Sequence, residues 1–85
     1  EQTPTRIALI GIVVENSDSV EWILHQYGRY IIGRMGIPYR EKSLSIISIA
    51  MDAPNNVISA LSGKIGMLPG ISSKTIYAKT TSAEL

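Results

Sequence analysis

The side chains that could do chemistry in this chain lie mainly in two short segments. Gly33, Arg34, Gly36 and Arg40 belong to the first. The two glycines would let a ligand or a partner backbone approach, and the two guanidinium groups could bind a carboxylate or a phosphate through paired hydrogen bonds. The same residues fit a bulged strand that leads into a hairpin, with its arginines in solvent or paired at an interface. Their positions favour the bulged strand, because glycines within strands commonly mark bulges.

The second segment comprises Glu15, Asn16, Ser17 and Asp18, between a β-branched run and a helical pattern. Asn, Ser and Asp suit a helix start, and Glu21 follows Asp18 at the spacing of a capping box. A helix N-terminus also attracts anions. Here two acidic side chains make the loop better suited to a ligand that carries an amine. Capping and ligand binding both stay open, and capping is the simpler interpretation.

The other motifs give neither a catalytic site nor a metal site. The chain has no Cys and a single His, His25, so it lacks the several His or Cys ligands that a nickel site needs. Gly63-Lys64 lacks the spacing and the following Ser or Thr of a phosphate-binding loop. No Ser–His–Asp or paired-carboxylate arrangement can be argued. The sequence therefore predicts a protein that is not an enzyme and that holds no metal or other cofactor.

Composition indicates one small domain, residues 1–85. A lone monomer of this size buries only about 60–65% of its unfolded surface, so self-association is the expected stabiliser. Charged residues make up only 18% and the net charge is +1, which argues weakly against nucleic-acid binding. No apolar run approaches the roughly 20 residues of a membrane span. Without Cys or a signal peptide, a cytoplasmic location is expected.

Residue patterns predict the order strand, helix, strand, strand, helix, strand. The strands are expected over residues 5–15, 29–37, 44–51 and 71–78, and the helices over 18–27 and from Asp52 to Gly66. This order is that of a ferredoxin-like α+β sandwich with a four-stranded antiparallel sheet. The expected strand order is fourth, first, third, second. The two central strands are apolar on both faces, whereas two helices cover one face, so the other face should meet another copy of the chain.

Three local details are also predicted. Gly28 should end the first helix in the left-handed conformation. Asp52 should cap the second helix, and Pro69-Gly70 should form a turn before the last strand.

Four stretches of the sequence resemble the putative iron-only hydrogenase system regulator family. They are IALIGIVVEN (7–16), IIGRMGIPYRE (31–41), SIISI (45–49) and GKIGMLPGI (63–71). That family is similar to ACT domains and to the C-terminal domain of the nickel-responsive regulator, which are small βαββαβ modules that form oligomers and often sense small ligands. The resemblance implies an ACT-like module that forms a dimer or tetramer. It also implies a ligand near the loop from Asn16 to Asp18.

Two functions are weighed from these observations. The leading hypothesis is a non-enzymatic oligomeric regulatory module that binds a small-molecule effector or a hydrogenase-related protein partner at subunit boundaries. The alternative is a transcriptional regulator that binds DNA through Arg29, Arg34, Arg40 and Lys42. An enzyme on this scaffold would need an acid/base pair in a cleft, and the sequence identifies none.

Overall fold

A computed structural model, which describes residues 4–79, shows one four-stranded sheet with two helices packed on one face. The elements are β1 (Arg6–Val14), α1 (Asp18–Gln26), β2 (Ile31–Tyr39), β3 (Leu44–Ala53), α2 (Asn55–Gly66) and β4 (Ile71–Tyr77). Short 3₁₀ turns at Gly28–Tyr30 and Arg40–Lys42 flank β2. This order confirms the predicted ferredoxin-like α+β fold.

The sheet has the strand order β2-β3-β1-β4, and each neighbouring pair is antiparallel. The predicted strand order is therefore confirmed, with the two most apolar strands, β1 and β3, at the centre. Among residues 4–79, no helix is long and apolar enough to cross a membrane.

The hydrophobic core lies between the helices and one face of the central strands. Alternate residues of β1 and β3 are buried there, as the two-residue period of a strand requires. Helix α1 contributes Val20 and Leu24, one turn apart, and α2 contributes Ile58, Leu61 and Ile65. The strands contribute Ala8, Ile10, Ile12, Val14, Ile47, Ile49, Met51 and Ala53.

Two predicted details of the helix ends are wrong. Gly28 does not adopt the left-handed conformation, because a 3₁₀ turn continues the chain, with the Tyr30 N–H donating to the Tyr27 carbonyl at 3.0 Å. Asp52 does not cap α2, because it belongs to β3 and the helix begins at Asn55. The predicted turn before β4 is confirmed, and Gly70 has a φ of 68° there.

A register shift lies between Ile31 and Gly33 of β2, where a bulge was expected. Before the shift, Ile31 packs against the core. After it, Met35 and Ile37 lie opposite residues of β3 that face away from the helices. Arg34 consequently lies on the helix side of the sheet, opposite the buried residue Ile49.

Candidate functional site

The segment with Gly33, Arg34 and Gly36 contacts α1 through an ion pair. Arg34 Nη2 lies 2.6 Å from the Glu21 Oε2 atom. The side chains are 40% and 46% exposed, so this ion pair contributes at most about 1 kcal/mol to folding. The carboxylate that binds Arg34 is thus provided by α1 of the same chain.

A small groove of about 240 Å³ lies between the start of α1 and strands β2 and β3. It is lined by Ser17, Glu21, Gly36, Pro38, Ser45 and Ile47. A Cβ atom on Gly36 would meet no other atom within 4 Å, so this glycine leaves space in the groove and relieves no clash. Two hydroxyl groups and the Glu21 carboxylate supply hydrogen-bonding groups, and Arg34 adds a positive charge beside them.

One side chain of the loop before α1 accepts a hydrogen bond from the start of the helix, although not from the N-cap position. The Asp18 N–H donates to the Asn16 Oδ1 atom at 2.9 Å, while Ser17 at the N-cap position makes no side-chain capping bond. Glu21 does not complete a capping box, because its carboxylate binds Arg34. Glu15 is exposed and makes no ion pair within the described chain.

Not all residues of the glycine–arginine segment come together. Gly36 and Arg34 lie on the helix side of β2, whereas Gly33 lies opposite Ala50 on the other face. Arg40 is exposed in the 3₁₀ turn after β2. The two glycines are three residues apart with no register shift between them, so the two-residue period of the strand places them on different faces.

A larger hollow, about 460 Å³, lies on the helix side and is lined by Asp18, Ser19, Trp22, Ile23 and Leu68. Trp22 is 70% exposed, so it does not belong to the hydrophobic core. Within residues 4–79, no group of three or more His, Cys, Asp or Glu side chains is arranged to hold a metal ion. His25 is exposed on α1.

The sheet surface that faces away from the helices carries eight of the eleven exposed large apolar side chains of the described residues, and we call it the open face. Its large apolar side chains are between 38% and 62% exposed. They are Ile7, Leu9, Val13, Met35, Ile37, Tyr39, Ile46 and Ile76. A continuous apolar surface of this kind commonly marks an interaction site.

Together, the fold and these surfaces define a small ferredoxin-like α+β module. It has a polar groove on the helix side of the sheet and the largely apolar open face on the other side. Residues 6–75 match the model of the TM1266-like family, "Iron-only hydrogenase system regulator, putative", and the chain belongs to that family. This confirms the resemblance seen in the sequence.

A solved structure agrees with the family match. The uncharacterized protein TM1266 from Thermotoga maritima is 35% identical in sequence and superposes with a TM-score of 0.84. The alignment covers 88% of this chain and 99% of that one. A search of curated proteins finds no match.

Proposed function

We propose that the chain is a non-enzymatic, ACT-like regulatory module of the cytoplasmic iron-only hydrogenase system and that it works as an oligomer. The family description supports the regulatory role. The observation that carries the oligomer is the open face, where eight large apolar side chains are left in solvent by the isolated chain. Burying them against a second subunit is favourable in proportion to the apolar area removed from water.

The size of the open face fits self-association. Strands lie about 4.8 Å apart and rise about 3.4 Å per residue. Four strands of mostly nine or ten residues therefore present roughly 600 Å² of flat area. Two copies in contact would bury about 1,200 Å², which lies at the lower limit of specific, stable interfaces.

The groove between α1 and strands β2 and β3 is our candidate for effector binding. Its volume of about 240 Å³ lies below the roughly 300–1,000 Å³ of pockets for drug-sized ligands, so it suits a small molecule. Glu21 can accept hydrogen bonds from an amine and Arg34 can donate to a carboxylate. Strand β2 contributes to both the groove and the open face. An effector in the groove would therefore lie close to the proposed subunit boundary.

Native mass spectrometry of the gently purified protein tests the proposal. We expect a dimer or tetramer of the 9.2 kDa chain that retains a small molecule. Gly36→Val should fill the groove and release the retained mass, with the oligomer unchanged. Gly33→Val is the matched control, because it adds the same side chain on the open face and should leave the retained mass in place.

Two results would oppose the proposal. A monomer at micromolar concentration would contradict the role of the open face. An oligomer without a retained small molecule, whose mass is the same in both glycine variants, would contradict the groove as the effector site and point to a protein partner.

A further inference from the structure

We infer that the open face is a two-fold symmetric interface between two copies of this chain, in which Lys74 of each copy pairs with Asp52 of the other. The inference rests on the self-association proposed above and goes further, because it specifies which residues meet.

The open face carries two charged strand residues of opposite sign. Lys74 on β4 lies opposite Gly11 of β1, and Asp52 on β3 lies opposite Ile7 of the same strand. Both side chains are exposed. Neither takes part in an ion pair within residues 4–79, where the one salt bridge joins Arg34 to Glu21.

A second copy of the chain carries the same Lys and Asp, so its charges are complementary to this pattern. In a two-fold interface, if residue i contacts residue j of the partner, then j also contacts i. One Lys and one Asp per face thus give two attractive pairs per dimer. A different partner would have to carry its own matching acid and base at the same separation.

The sheet register places Leu9 at the centre of this arrangement. Lys74 lies opposite Gly11, two positions after Leu9, and Asp52 lies opposite Ile7, two positions before Leu9. The two charges lie on the strands that flank β1 on either side. A two-fold axis that brings Lys74 of one copy next to Asp52 of the other must cross the point midway between these two residues. Leu9 lies at that point, so it should pack against Leu9 of the second copy.

Two apolar hollows lie next to Leu9 and can receive side chains of the partner. One, of about 260 Å³, includes Gly33, Met35 and Ser48 in its lining. The other, of about 300 Å³, includes Ile7 and Ile76. Leu9 and Ala50 line both hollows, so an axis at Leu9 has a recess on each side.

Charge reversal tests the pairing. Lys74→Asp and Asp52→Lys should each replace two attractive pairs with two repulsive ones and weaken dimerisation about tenfold, as measured by sedimentation at low salt. The loss should shrink at high salt. The double variant Lys74→Asp/Asp52→Lys should recover the wild-type affinity, and it also controls for any effect of the substitutions on folding.

Mixing the two single variants gives a sharper result. One variant then has an all-acidic open face and the other an all-basic one. Native mass spectrometry should show more mixed dimer than random pairing produces. Dimers of wild-type strength in both single variants, with random mixing, would overturn the Lys74–Asp52 pairing while leaving self-association intact. A monomeric wild-type protein would instead overturn the self-association on which the pairing rests.

Discussion

The two faces of the sheet are built from similar residues but have different surroundings. On β1, Ala8, Ile10, Ile12 and Val14 face the helices and are at most 3% exposed, whereas the large apolar residues that alternate with them are 38–44% exposed. The covered face contributes to folding of the single chain. The side chains of the open face become buried only if chains associate. Substitutions on the first should therefore change stability at every protein concentration, and substitutions on the second should have concentration-dependent effects.

The largest expected effect comes from placing a charge on the covered face. Ile10 is fully buried, and Ile10→Asp should cost several kcal/mol of unfolding free energy, because no partner is available for the buried carboxylate. Denaturant unfolding at several protein concentrations measures this loss. Ile10→Val is the conservative control and should cost about 0.5–1.5 kcal/mol. Equal stability of the Asp variant and the wild type would show that this face is not the core.

The neighbouring residue gives the complementary prediction. Leu9→Asp places a carboxylate on the open face, where it stays in solvent in the monomer. We expect a loss of at most about 1 kcal/mol in monomer stability from lower β-propensity. Association should be lost, because two carboxylates would meet at the proposed axis. Sedimentation measures association and circular dichroism measures folding. A folded Leu9→Asp variant that associates like the wild type would contradict the use of the open face.

The smallest expected effect concerns the ion pair beside the groove. Glu21→Gln removes the carboxylate that Arg34 binds and should lower the unfolding free energy by less than about 1 kcal/mol. The difference from wild type should decrease as salt is added. Glu41→Gln is a matched control, because Glu41 is exposed in the turn after β2 and forms no ion pair in the described chain. A much larger loss for Glu21→Gln would mean that the pair holds β2 against α1.

The fold could be predicted from sequence because its signals are local. The alternation of β1 and β3 and the helical spacing of residues such as Val20 and Leu24 each identify one element, and the order of elements then restricts the topology. The candidate groove could not be predicted in the same way. A shift of one residue moves every later side chain to the other face, and the position of the shift between Ile31 and Gly33 depends on pairing with β3.

The ends of α1 illustrate the same limit. Gly28 has the residue type for a left-handed helix end, but Tyr30 packs against the core two residues later, and the 3₁₀ turn brings it there. Glu21 has the spacing of a capping box, but Arg34 from a distant strand binds its carboxylate. In both cases a tertiary contact overrides a local preference.

The most direct test of the account is sedimentation equilibrium of the wild-type protein over a wide range of concentrations, beside Leu9→Asp. We predict that the wild type has the mass of a dimer or tetramer at micromolar concentration and that the folded variant has half that mass. A wild-type protein that sediments as a folded monomer at every concentration would contradict the claim that the open face is an interface between copies of this chain.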